Sequence, residues 1–512
     1  YTTAAGPEVA ELALGFADVA WQAQVETMGF MPPSTEDDQG NIVPGLWIYL
    51  DPDSPYDHAE PIGDNPNTSW TDCTVRAVVT SLSPLSYLEL VVGHEMNHAM
   101  QMTLDCGESD FAWENTTMAV TAIMAPEDPL YSDYFLPTFQ AYPHHGLDCA
   151  FWGDSKRAYY HYGASLFQLF VENRYGDYDG KILAQLWYAA RQDGSVTVGP
   201  VGTQMDVPND PNLMEAMDTV LEDGFAQAYV EFARWRYFVG LRDDGQHFSY
   251  GSLWSGAELA LDSELGLEAL PWIDRAPTIE PNDFGAVYVE LGLEGIADDE
   301  GVALRFRGDA SVRWSVEALL LHVDGSSEVR TAPLDPSGSG ELTLDGLEGS
   351  SRAVLIFANL SGGNHDADAP SCSFGAPFRY DLERVDLAVA PTIGAVDPAE
   401  LERGRTHYLW ISGSDLAEGL EVSVTGGGIE VGAPTRIDAT SVGVELRVSA
   451  DAAPGARDLV VTNPNGLSAI LSGGVTVLDD SPTSDEVSGC GCTVPRASRG
   501  ELPQLALLAL FG

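Results

Sequence analysis

The stretch His94-Glu95-Met96-Asn97-His98 decides how this chain is to be read. On an α-helix residues four apart share a face, so the two imidazoles converge on one point and the intervening carboxylate stands beside it. Three fixed residues recur by chance in on the order of one chain in a hundred of this length, so the neighbourhood has to be weighed with the motif. Ser83-Pro84 reads as an N-cap followed by proline at the first helical position, and Tyr87, Leu88, Val91, Val92 and Ala99 recur at helical spacing. The spacing predicts a buried helix from about Pro84 to Met102. A metal-free helix face is the alternative, but two histidines and a glutamate in an apolar helix need partners, and zinc partners all three.

A catalytic zinc usually takes three protein ligands and leaves a fourth position for water. Glu114 is the expected third ligand. It falls in the first turn of a second helix, Asp110 to Met124, which Asp110 would cap and Pro126 would stop. Glu108 and Asp110 compete for the role, but the run Asp105-Cys106-Gly107-Glu108-Ser109 reads as a solvated turn. Glu95 would take a proton from the zinc-bound water and deliver it to the leaving amine. Tyr159-Tyr160-His161-Tyr162-Gly163 opens a further helix running through Phe167, Phe170 and Val171 to Gly176. Tyr162 and His161 are both candidates for the oxyanion donor, with Tyr162 preferred. His144 and His145, beside Pro143, read as a surface loop that could also reach a cleft.

With these residues assigned, H-E-M-N-H-A-M-Q, W-E-N-T-T-M-A-V and Y-H-Y-G-A-S-L-F-Q-L-F-V-E-N-R-Y-G resemble the zincin peptidases of the glutamate-ligand type. They are similar in particular to secreted metalloproteases of myxobacteria, whose pattern is HExxHxxQ, a W-x-E-A-T-A-like helix and a Y-G-x-x-x-F helix. The resemblance covers roughly residues 1 to 275. It implies that His94, His98 and Glu114 ligate zinc and that Glu95 is the general base. The chain departs from the pattern at Asn115-Thr116-Thr117, where the family shows small residues.

The 512 residues carry 78 acidic against 24 basic side chains, and the net charge of −54 makes nucleic acid and anionic lipid poor partners. No D-x-D-x-D-G run marks a dedicated calcium loop. The six cysteines suit neither a disulfide scaffold nor a structural zinc module. Cys73, Cys106 and Cys149 fall in the motif-bearing segment; a bridge such as Cys106 to Cys149 would pin the loop after the motif helix, and unpaired thiols are the alternative.

Along the chain the pattern predicts a helix from Pro7 to Met28, strands at Leu46 to Leu50 and Thr74 to Thr80, and later helices near 155–175, 179–192, 212–222 and 224–240. Substrate is expected in a cleft between the mixed α/β part and the helical part. From Pro281 onward, alternating runs such as Val287 to Leu291, Val302 to Phe306 and Val354 to Phe357 signal a β-sandwich. Pro391-Thr392-Ile393, Leu409-Trp410-Ile411-Ser412-Gly413 and Val460 to Gly466 resemble an IPT/TIG domain, an immunoglobulin-like sandwich.

The expected architecture is therefore multidomain: an α+β zincin-like domain over 1–278, all-β sandwiches over 279–388 and 389–478, and a linker and tail over 479–512. Cys490-Gly491-Cys492 followed by the apolar run Leu502 to Phe511 resembles a truncated MYXO-CTERM sorting signal. A start at Tyr1 is expected to follow a removed or omitted signal peptide. Together these features imply a monomeric zinc endopeptidase, secreted or held at the outer cell surface through its tail and acting on peptide or protein. The rival expectations are a surface adhesin or glycan-binding protein with an inactive zincin-like lobe, and an aminopeptidase, for which no G-A-M-E-N-like run is found.

Overall fold

The computed structural model describes residues 6–80, 84–127, 131–151, 154–198, 209–362, 372, 375–387 and 389–479. Ser83 and the tail motif Cys490 to Phe511 lie outside the described residues. The chain forms two compact units, 1–387 and 388–512. It is multidomain and rich in β-structure, and among the described residues its helices fall in the first unit.

The first unit opens with helix α1 (Gly6–Trp21), which continues as a π-helical segment, Gln22–Met28, to a left-handed stop at Gly29. A short hairpin, β1 (Ser34–Glu36) and β2 (Ile42–Pro44), precedes a three-stranded sheet of β3 (Trp47–Leu50), β4 (His58–Asp64) and β5 (Cys73–Val79). In that sheet β5 is central, parallel to β3 and antiparallel to β4, with Ala77 opposite both Ile48 and Ala59. Strand β5 is buried along nearly its whole length, Arg76 alone being half-buried, as befits the central strand of the sheet.

Helix α2 (Leu85–Leu104) follows, then α3 (Asp110–Met124). Leu88, Val92, Met96, Ala99 and Met100 recur every three or four residues along α2 and are buried. The structure moves both expected caps by one residue. Pro84, with extended backbone at φ −71° and ψ 161°, sits at the N-cap of α2 rather than inside its first turn. Ser109, not Asp110, caps α3, its Oγ accepting from Ala112 N at 3.3 Å, because serine reaches back to the third helical amide.

The helix expected over 155–175 is two helices, α5 (Tyr160–Gly163) and α6 (Leu166–Tyr175), preceded by the short α4 (Leu136–Gln140). Ser165 lies at the junction of α5 and α6 and donates its hydroxyl to Tyr162 O at 2.6 Å, a local bond that competes with helix continuation. Helices α7 (Lys181–Ala190), α8 (Leu213–Val220) and α9 (Gly224–Trp235) complete the helical part, α8 starting from a capping box between Asn212 and Glu215.

Two sheets form the sandwich of the first unit. One runs Ser327–Thr331, Trp314–His322, Ser350–Asn359, Ala286–Gly292, Ser263–Gly266; the other runs Ser339–Leu344, Glu300–Gly308, Phe378–Asp386, Trp272–Arg275. Ser263–Gly266 and Trp272–Arg275 precede residue 279, so the sandwich begins before the change of pattern near Pro281. Neither strand carries the alternation that would mark it.

The sandwich is welded to the helices. Tyr288, Leu319, Val354 and Ile356 belong to the same buried cluster as Phe167, Phe170, Trp187 and Phe232. Tyr288 Oη donates to Ala233 O at 2.9 Å, and Arg234 meets Glu317 with two bonds of 2.6 and 2.7 Å. Cys149 is bonded to Cys372 across the same seam.

In the second unit two sheets enclose Leu409, Ile411, Val442, Val444, Leu459, Val461, Val475 and Val477. The central strand Thr406–Ser414 pairs antiparallel with Ser441–Val448, Trp410 opposite Gly443. Among the described residues no helix is long and apolar enough to cross a membrane.

Candidate metal centre

Helices α2 and α3 pack side by side, and the loop between them is where sequence reasoning went astray. Asp105, Cys106 and Glu108 are buried, not solvated. Cys106 is bonded to Cys73 at the start of β5, and Cys106 N donates to Thr71 O at 2.7 Å, so the loop is drawn onto the sheet. The expected Cys106–Cys149 bridge is thereby replaced: Cys73 and Cys106 share one pocket, while Cys149 sits at the distant seam with the sandwich.

The anchored loop sets the phase of α3 against α2. His94 Nε2 and His98 Nε2 are 3.1 Å apart, and Glu114 Oε2 lies 3.4 and 3.5 Å from them. A triangle with these edges has a circumscribed radius of about 1.9 Å, just under zinc–ligand bonds of about 2.0–2.2 Å. One point slightly off its plane can therefore be bonded to all three atoms. The donor set, two imidazoles and a carboxylate, suits zinc. Glu114 Oε2 is buried and meets the two imidazoles at ion-pair distance without a well-aligned hydrogen bond, an atom that an ion at this point would satisfy. Among the described residues this is the one group of three such side chains with ligand atoms within 4.8 Å of each other.

Electrostatics follow the same geometry. Burial works to raise the Glu114 carboxyl, but the His98 and His94 rings outweigh it and hold it well below the usual carboxylate range. Burial disfavours a charged His98, yet Glu114 and Glu95 bring it up to about 9. For Glu95, burial raises the carboxyl and the two histidines only partly offset the rise. Glu95 Oε2 is buried with no hydrogen-bond partner.

The side of His98 away from Glu114 is also built. His98 Nδ1 lies 2.9 Å from Gln101 Oε1, and Gln101 Nε2 donates to Trp113 O at 3.1 Å, which orients the amide. When the ring is neutral its N–H therefore sits on Nδ1, which leaves Nε2 to ligate. Thr117, one turn beyond Glu114, places Oγ1 3.2 Å from the same Nδ1 and donates to Asn97 Oδ1 at 3.0 Å. Asn97 in turn donates to Gln24 Oε1 at 3.2 Å, and Gln24 Nε2 donates to Gly93 O at 2.8 Å. Gln24 belongs to the π-helical segment, a distortion often found at functional sites. Sequence reasoning gave no role to Gln24, Asn97, Gln101 or Thr117; the i, i+3 spacing of His98 and Gln101 was the one available signal.

The run Asn115-Thr116-Thr117 now has a physical account. Asn115 Nδ2 donates to His161 O at 2.8 Å, Thr116 Oγ1 accepts from Trp187 Nε1 at 3.0 Å, and Thr117 serves His98 as above. Alanine at 115 or 117 could make neither the bond to His161 O nor the one to His98.

The structure brings Tyr162 beside the triad, its ring 6.4 Å from that of His94 and stacked on Phe135 at 5.1 Å. Gly163 makes this possible, since a Cβ there would lie 2.2 Å from Phe135 O. His161 is fully buried behind Tyr162, and burial lowers its ring to about 4. His144 and His145 are not brought to the site. His145 Nδ1 meets Asn282 Oδ1 at 3.0 Å and His144 O accepts from Asn282 N at 2.8 Å, at the seam with the sandwich.

No family model matches the chain, and no curated protein does. Among solved structures the chain is similar to a γ-cyclodextrin glycosyltransferase from alkalophilic Bacillus clarkii, at 16% identity over 38% of this chain and 26% of that one, with a TM-score of 0.14. A likeness that slight carries no argument about function.

Proposed function

We propose that the chain is a zinc-dependent endopeptidase whose catalytic domain is zincin-like. The observation that carries this reading is the triangle of His94 Nε2, His98 Nε2 and Glu114 Oε2, with edges of 3.1, 3.4 and 3.5 Å, beside the buried Glu95, whose Oε2 has no hydrogen-bond partner. When bound by these three atoms, zinc supplies a Lewis acid that brings a water's pKa toward about 7 and polarises a peptide carbonyl. Glu95 Oε2 accepts the proton of the attacking water and passes it to the leaving amine nitrogen. Tyr162, partly exposed where His161 is buried, is the donor toward the developing oxyanion. Gln101 holds His98 in its ligating tautomer.

Two disulfides fit an oxidising compartment and so support secretion or display at the cell surface. The decisive experiment takes the full chain, measures zinc stoichiometry, and follows cleavage of a denatured protein with and without chelator. One zinc per chain, chelator-sensitive cleavage and its loss in a Glu95→Gln variant that keeps its zinc are expected. Absence of bound metal, or cleavage undiminished in Glu95→Gln, overturns the reading. Metal content unchanged by Glu114→Ala together with glycan binding by the β-sandwiches favours the adhesin instead.

A further inference from the structure

The α2–α3 loop buries a second group of oxygen donors that the proposed reaction does not use. Asp105 is fully buried and Glu108 is 4% exposed. Asp105 Oδ1 accepts from Gly107 N at 2.9 Å and Thr71 Oγ1 at 3.0 Å, while Asp105 Oδ2 has no partner. Glu108 Oε2 accepts from Ser109 N and from Asn209 Nδ2, each at 3.1 Å, while Glu108 Oε1 has none. Asn209, itself 4% exposed and tied to Glu108, also keeps its amide oxygen Oδ1 unpartnered.

Three side chains more than nine-tenths buried thus each leave one oxygen unsatisfied around a single loop. Buried polar atoms are ordinarily paired, and two buried carboxylates left together repel one another. Burial raises both carboxyls, and the Asp105 charge raises Glu108 further; the Gln192 amide beside Asp105 and the Leu213 N–H beside Glu108 offset the rise only in part, and no cationic side chain is among the groups acting on either. What the cluster lacks is positive charge able to accept oxygen ligands. An all-oxygen set of carboxylates and an amide suits a hard cation that tolerates irregular geometry, and calcium fits better than zinc or magnesium.

We propose that Asp105, Glu108 and Asn209 form a calcium site joining the α2–α3 loop to the segment that leads into α8. The ion ties the helix carrying His94 and His98 to the helix carrying Glu114, and fixes both against residues 209–213. It is a structural site, separate from the zinc ligands, and does not depend on the chain being a peptidase.

The test uses the full chain, freed of calcium and held with one equivalent of zinc. Terbium luminescence sensitised by tryptophan is the probe, since Trp113 packs against the Cys73–Cys106 cluster of the same loop. Terbium is expected to bind with a luminescence signal that calcium displaces, and calcium is expected to raise the melting temperature by several degrees. In Glu108→Gln, and separately in Asp105→Asn, the calcium titration shifts to higher concentration by about tenfold or more while zinc content stays at one. A wild-type melting temperature indifferent to calcium, a response to magnesium alone, or a displaceable terbium signal that survives both substitutions overturns the proposal.

Discussion

His98 Nδ1 lies 2.9 Å from Gln101 Oε1, one turn further along the same helix. Because Gln101 is held by Trp113 O, its oxygen faces the ring and selects the tautomer with Nε2 unprotonated. Gln101→Leu is therefore expected to weaken zinc binding by about 10–100-fold with the fold intact. Competition against a chromophoric chelator measures this, and an unchanged affinity would show that the amide does not orient the ligand.

Zinc uptake should release a proton. Burial lowers the His98 ring but Glu114 raises it more, leaving it at about 9 against an ordinary value of 6.5. The metal-free fold thus gains from the charged His98–Glu114 pair fully below pH 6.5 and loses that gain as pH rises through about 9. A ligating imidazole must shed this proton, so zinc affinity climbs by about tenfold per pH unit between those values. Calorimetry at pH 7.5 in buffers of different ionisation heat should report about one proton released per zinc. Heats independent of the buffer would contradict the assignment.

The Cys73–Cys106 bond closes a separation of 33 residues and anchors the loop that phases α3. Replacing both cysteines by serine should cost about 3–4 kcal/mol on the chain-entropy argument. Denaturant melts give the total, and hydrogen exchange should quicken first at residues 104–109. A loss below about 1 kcal/mol would mean that the Asp105 and Glu108 bonds hold the loop unaided.

Thr116 and Trp187 are buried partners on neighbouring helices, Nε1 to Oγ1 at 3.0 Å. Thr116→Val keeps the shape but strands the indole N–H, and is expected to destabilise by about 1–3 kcal/mol. Equilibrium unfolding in urea checks the value; a neutral outcome would imply that another acceptor reaches Nε1.

The amino-acid sequence by itself determined what short-range periodicity and residue chemistry can determine. His94 and His98 share a face because a helix repeats every 3.6 residues, and Asp110 to Met124 reads as a helix because its apolar spacing and the following Pro126 bound it. The alternating runs from Val287 onward mark strands for the same kind of local reason. Only the tertiary structure decided the rest. The spacing of His98 and Glu114 allows many helix pairings, and the loop drawn inward by Cys73–Cys106 selects the one with Glu114 Oε2 3.5 Å from His98. The polar run Asp105 to Ser109 looks solvated because composition cannot see a disulfide pulling it under the sheet. Cys149 finds Cys372 across a separation of 223 residues, and Gln24 reaches Asn97 from a distant helix. Such contacts have no period along the chain. They arise when packed elements bring remote side chains together, which is why the ligands of His94-Glu95-Met96-Asn97-His98 were legible in sequence and their supports were not.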